Sequence, residues 1–167
     1  MVLETERLGL RHLEARDAAF ILELVNDPDW LRFIGDRNVR SEQDARAYLE
    51  KGPMALYARL GFGLYLVALR DGTPIGMCGL IKRDSLADVD IGFAFLPRFR
   101  GQGYAYESAV AARDYGTEVL GLARIVAITD PGNHASSKLL ERLGFRYEAT
   151  IPHGLGGEVS RLYGFSA

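Results

Sequence analysis

Polar and apolar residues alternate from Arg7 to Leu13, with Leu8 and Leu10 on the apolar side. Such alternation predicts a half-buried strand, because successive side chains point to opposite faces. From Asp17 to Asn26 the period changes. Ala18, Ile21, Leu22, Leu24 and Val25 recur at helical spacing, and Pro28 follows the expected helix end. A short second helical piece is expected over Trp30 to Ile34. Ser41-Glu42-Gln43-Asp44 reads as a capping box with Asp44 in the usual place of Glu, and opens a helix running to about Gly52 and resuming through Tyr57.

Strand patterns then dominate. Gly63 to Arg70 and Pro74 to Lys82 are apolar runs joined by Asp71-Gly72, a hairpin signal. Val89 to Leu96 alternates again, with Val89, Ile91, Phe93 and Phe95 on one face and Asp88, Asp90, Gly92 and Ala94 on the other. Pro97 ends it. Gly103 to Leu120 is expected to be a helix stopped by Gly121. Arg124 to Thr129 reads as a strand, and Asn133 caps a helix that ends at Gly144. A last pair of strands, Phe145 to Ile151 and Val159 to Phe165, flanks a Gly-rich loop from His153 to Gly157. The order β-α-α-β-β-β-α-β-α-β-β predicts an α/β (α+β) fold, a mixed, mostly antiparallel seven-stranded sheet flanked by helices. Val89 to Thr129 is its parallel β-α-β unit. One domain is expected over 1–167.

Composition narrows the partners. The chain has 167 residues and a net charge of -2, which argues against nucleic acid as a primary partner. The single cysteine, Cys78, cannot staple the fold and suits a reducing compartment. Glu4, Glu6 and Arg7 leave no apolar signal-peptide core, and no run is long enough to span a membrane. A cytoplasmic protein with no membrane partner is expected.

One segment carries chemistry. The strand ending at Leu96 feeds Pro97-Arg98-Phe99-Arg100-Gly101-Gln102-Gly103-Tyr104-Ala105, where a helix begins. Glycines let the backbone turn sharply, and helix-start amides under a positive dipole make an anion site suited to a pyrophosphate. Arg98 and Arg100 add formal positive charge. A P-loop is excluded by the missing Lys-Ser/Thr end. A dinucleotide fingerprint lacks its third glycine, because Tyr106 stands there.

Arg98-x-x-Gly101-x-Gly103 resembles the pyrophosphate signature of the GNAT acetyltransferase superfamily. Glu4-Thr5-Glu6-Arg7-Leu8-x-Leu10-Arg11 is similar to the opening of its RimJ/RimL-like branch, as is Asn133-x-x-Ser136 followed by Leu139 to Phe145. The resemblance implies acetyl-CoA as cosubstrate, no metal, and acetyl transfer to a primary amine, either a protein N-terminus or a small molecule. It implies pyrophosphate binding by the main chain of Arg100, Gly101, Gln102, Gly103, Tyr104 and Ala105. It places the pantetheine arm along Phe95 and Leu96, where two neighbouring strands splay. Asn133 and Ser136 become cofactor contacts, and Ser136 a group able to assist the leaving thiolate. Asp90 matches the position of a glutamate base in many relatives. The tyrosine that serves many relatives as general acid is replaced here by Leu140.

The acceptor side is expected from the first helices and the last hairpin, with Trp30 and Phe33 as pocket candidates beside Asp36 and Arg37. Tyr104 and Tyr106 read as structural or cofactor-packing residues, and His12, His134 and His153 as weak candidates. A non-catalytic acyl-CoA sensor of the same fold is the alternative, favoured by the missing tyrosine. A homodimer is compatible with the family.

Overall fold

A computed structural model describes residues 1–152 and 158–167; the expected loop from His153 to Gly157 lies outside them. The chain folds as β1 (Leu3–Glu4), β2 (Leu8–His12), α1 (Ala18–Leu24), α2 (Pro28–Phe33), α3 (Glu42–Lys51), α4 (Pro53–Leu60), β3 (Leu64–Leu69), β4 (Pro74–Ile81), β5 (Asp90–Phe95), α5 (Tyr104–Asp114), β6 (Arg124–Thr129), α6 (His134–Arg142), β7 (Arg146–Pro152) and β8 (Val159–Ser166). The sheet order is β1-β2-β3-β4-β5-β6-β8-β7. Every adjacent pair is antiparallel except β5 and β6. The expected mixed sheet is observed, with one strand more than the alternation predicts. β1 has two residues, too few for a period to register.

The two faces of the sheet bury different sequences. Leu8, Leu10, Tyr65, Val67, Ile91 and Phe95 pack with Ala109 and Ala112 of α5 and with Leu140 and Phe145. Leu66, Ala68, Met77 and Leu96 pack under Ile21, Leu24, Trp30, Ala45 and Leu49 of the first three helices. Small residues on α5 let that helix approach β5 closely, which fixes the direction of its N-terminus. The first helical region holds four short helices, including the expected second piece around Trp30 and the resumption after Gly52, and each break has a local cause. Asp27 caps α2 by accepting from the Asp29 and Trp30 N–H groups, with Pro28 at the first helical position. Gly52 and Pro53 separate α3 from α4. The expected box at α3 is modified. Ser41 accepts from the Asp44 N–H, but the Asp44 carboxylate reaches back to the Arg40 N–H instead of that of Ser41. After Asp114 the helix widens into a π turn over Tyr115–Val119 before Gly121 stops it.

Candidate active site

β5 leads through a short 3₁₀ turn, Pro97–Phe99, into a loop and then α5. Gly101 and Gly103 have φ of +73° and +84°, a left-handed region costly for any residue with a Cβ. Gly103 is the cap of α5 and brings no side chain to satisfy the first amides. The N–H groups of Gly101, Gly103, Tyr104 and Ala105 meet no acceptor among the described residues. They form an arc of donors at the positive end of a helix, which is the chemistry of an anion site.

The two arginines of the loop do not add free charge. Arg98 binds Glu23 at 2.7 Å, and 58% of its side-chain surface is exposed. Arg100 spends its whole guanidinium internally, donating to the Phe95 carbonyl, to Asp29 and to Asp27 at 3.0, 2.7 and 2.7 Å. It ties the cap of α2 to the loop. In the free protein, carboxylates of the first helices thus pair both arginines, so the positive charge expected of them beside the loop is offset there. Gln102 gives its carbonyl to Arg7 and its side-chain amide to the Arg98 carbonyl. Arg7 also bonds Glu107 of α5 and lies 4.5 Å over the Tyr104 ring. Thr5 donates to the same Glu107, so the N-terminal segment braces the loop and the first turn of α5.

β5 and β6 pair at one register position only, Asp90 opposite Val126. Beyond it the strands separate. The Leu96 N–H donates to the Ile75 carbonyl of β4, and the Leu96 carbonyl accepts from Phe99. Leu96 is therefore no main-chain partner for an arm in the split, which corrects that expectation. An antiparallel ladder alternates its hydrogen bonds, so the main-chain groups of Phe93 and Phe95 point away from β4 into the opening. The Phe95 carbonyl is held there by Arg100. Phe93, placed by its alternation on the face of Phe95 but not expected as a cofactor contact, shares that parity.

Two cavities meet at this opening. One, of about 390 Å³, runs from the amide loop past Phe95, Tyr106 and Arg142. The other, of about 280 Å³, lies under α2, α3 and α4 and contains Asp90, Arg83, Tyr48 and Arg37. Trp30, Phe33, Phe93, Ala94, Asn133 and Ser136 line both. The structure thus brings the expected pocket residues Trp30 and Phe33 to the junction on α2, with Trp30 only 5% exposed. Asn133 caps α6 by accepting from the Ser136 N–H at 3.2 Å. Leu140, at the position of the missing tyrosine, is buried in the wall of the smaller cavity.

Asp90 faces away from Ile91 and Phe95, as its parity requires, but that side of the strand is roofed by helices. Its side chain is 1% exposed, and the Arg83 Nε sits 3.2 and 3.3 Å from its two oxygens. Burial pushes its carboxyl up to about 6, against the opposing pull of Arg83. The carboxylate can therefore take a proton near neutral pH and give it up again. Arg83 went unnoticed in the sequence; only the β4–β5 register, Ile81 opposite Asp90, brings it there. His12 stacks on Tyr57 and Tyr65 and belongs to the packing. Among the described residues no cluster of His, Cys, Asp or Glu suits a metal ion.

A parallel pair that splits beside an amide-lined loop, with a second chamber across the opening, is the arrangement that the resemblance to acyl-CoA-dependent acetyltransferases implies. The family model described as an acetyltransferase (GNAT) domain matches residues 7–146. The chain is 32% identical to the Bacillus subtilis protein YkkB, covering 89% of this chain and 87% of that one. It is 30% identical to the uncharacterized N-acetyltransferase YnaD of the same organism, over 92% and 90% of the two chains. The crystal structure of a GNAT-family acetyltransferase from Bacillus anthracis superposes with a TM-score of 0.80 at 29% identity, over 98% and 97% of the chains. The chain belongs to the GNAT acetyltransferase family.

Proposed function

We propose that this protein moves the acetyl group of acetyl-CoA directly to a primary amine. The observation that carries the reading is the junction of the two cavities, with an anion-binding loop behind one and a buried, elevated carboxylate inside the other. The donor arc from Gly101 to Ala105 fits a pyrophosphate, and the outward main-chain groups of Phe93 and the Phe95 N–H fit an amide-bearing arm. Acetyl-CoA supplies the thioester. The chain's residues hold, orient and move protons around it.

An amine must be neutral to attack. Asp90 takes its proton, directly or through a water, as the nitrogen bonds to the thioester carbon. The Phe93 N–H, aimed into the opening, donates to the carbonyl oxygen as negative charge gathers there. The carbon–sulfur bond then breaks and the sulfur leaves as thiolate. Leu140 offers it no proton; the Ser136 hydroxyl can donate a hydrogen bond to the thiolate, and solvent supplies the proton. Holding both reactants across one junction supplies the remaining acceleration.

Calorimetric titration of acetyl-CoA tests the first half of this reading. Wild type binds in the range of about 1–100 μM, comparable to ordinary KM values. Gly103→Val binds at least about tenfold more weakly, a cost of about 1.4 kcal/mol. The new Cβ forces a disfavoured φ and meets Arg7 Nη2 at 3.1 Å. No binding by wild type would remove the central claim. Release of free CoA thiol across an amine panel tests the second half. Binding without release with any amine would instead mark a sensor.

A further inference from the structure

Four arginines stand around the amide loop and the larger cavity beside it. Three of them are paired. Arg7 binds Glu107, Arg98 binds Glu23, and Arg100 binds Asp27 and Asp29. The fourth, Arg142, lines the cavity and meets no carboxylate among the described residues. It is the exposed last residue of α6, where the negative end of the helix favours a cation. Its guanidinium lies 4.4 Å over the half-buried ring of Tyr106, the residue that follows the last free amide of the loop, Ala105. α6 also gives the cavity a direction. Asn133 and Ser136 at its start line both cavities, whereas Leu139 and Arg142 line only the larger one. At 1.5 Å per residue, Arg142 stands about 13 Å along the helix from Asn133, away from the junction where acetyl transfer would occur.

We propose that Arg142 holds the ribose 3′-phosphate of acetyl-CoA, and that this contact makes the protein prefer acetyl-CoA to its 3′-dephospho form. The assignment rests on the acetyl-CoA reading and extends it to the opposite end of the cofactor. A pyrophosphate on the loop carries two substituents. The pantetheine arm runs past Phe95 toward the junction, so the adenosine runs the other way, past Tyr106 and Arg142. Its 3′-phosphate is a monoester with about two negative charges at neutral pH. An arginine fork matches such a group with paired, charge-assisted hydrogen bonds. The Tyr106 ring holds the guanidinium by one face through cation–π attraction and leaves its edge, with the N–H donors, open. An ion pair would have to break before Arg7, Arg98 or Arg100 could take a phosphate. Arg142 has none to break among the described residues.

The test titrates the full chain by calorimetry with acetyl-CoA and with 3′-dephospho-acetyl-CoA at one ionic strength. Wild type binds acetyl-CoA about tenfold or more tightly than the dephospho form, the usual worth of a charge-assisted hydrogen bond. Raising the salt concentration narrows that ratio, because the contact is exposed and screened. Arg142→Met brings the ratio toward one by weakening acetyl-CoA alone. Its unchanged affinity for the dephospho form shows that the variant is folded. Arg142→Lys recovers part of the ratio. Arg59→Met, which removes an exposed cation at the end of α4 outside both cavities, keeps the wild-type ratio. The proposal is overturned if wild type binds the two forms equally, or if the preference survives Arg142→Met. It is also overturned if Arg142→Met weakens both forms alike, which would place the guanidinium against the adenine base instead of the phosphate. In these three outcomes the acetyl-CoA reading stands. Failure of wild type to bind either form removes that reading and this proposal with it.

Discussion

Asp90 holds its proton more tightly than an exposed aspartate because burial outweighs Arg83. Two consequences follow with opposite signs. The rate of acetyl transfer, measured at saturating acetyl-CoA, rises with pH through about 6 as the carboxylate ionises. Asp90→Asn removes that limb and lowers kcat by about 10²- to 10⁴-fold, the usual worth of a general base. Arg83→Met removes the cation that favours ionisation, so the limb moves to higher pH; a limb that stays in place or moves down would separate Asp90 from the profile. Stability runs the other way. A carboxyl whose folded pKa is raised contributes stability below its unfolded pKa and loses it as pH rises through the folded value. Asp90→Asn is therefore at least as stable as wild type at pH 8 by thermal melting, and shows less loss between pH 4 and 7. The parity of Asp90 was legible from the alternation Val89, Ile91, Phe93. Its burial was not, because the helices that cover it come from a distant part of the chain and leave no local trace in β5. The same holds for Arg98 and Arg100. Their charge is plain in the sequence, but the carboxylates that compensate them lie on α1 and α2.

At the scale of elements, the loop and the start of α5 were readable because glycine at fixed spacing after a strand has a local meaning. What the sequence hid is how α2 is tied to that loop. The Asp27 carboxylate caps α2 and receives Arg100, so one side chain fixes both the helix that carries Trp30 and the turn that carries the amides. Arg100→Gln leaves a 5% exposed carboxylate without its cation. Arg100 itself is 38% exposed, so solvent recovers part of the loss, and the urea midpoint falls by an amount equivalent to about 1–2 kcal/mol. kcat falls further than acetyl-CoA affinity, because α2 and its junction residues shift while the amides of the loop persist. An acetyl-CoA affinity that falls as far as kcat would instead show Arg100 reaching the phosphates.

Across the whole molecule the sheet is two ladders. β1 to β5 form one, β6, β8 and β7 the other, and among the described residues the one register position joining them is Asp90 opposite Val126. The element order predicted the parallel pair, but not that it would be so short; the split is a property of the tertiary arrangement, and no residue pattern in β5 or β6 encodes it. Because the join is narrow, a ligand lying in the split should act as an added strand. Its arm would take up the main-chain groups of Phe93 and the Phe95 N–H, while Asn133 and Ser136 at the start of α6 grip it from the other side. Amide hydrogen exchange reads this directly. In the free protein the Phe93 N–H, turned toward the opening, exchanges faster than that of Leu96, which is bonded to Ile75. Saturating acetyl-CoA slows Phe93, leaves Leu96 nearly unchanged, and also slows β6 through the bridged halves. Binding at one hundred times Kd stabilises the native state by about 2.7 kcal/mol, so the thermal midpoint rises together with β6 protection. Protection confined to the amide loop, with Phe93 and β6 unaffected, would mean that the cofactor is held by its phosphates alone and that the split does not receive the arm.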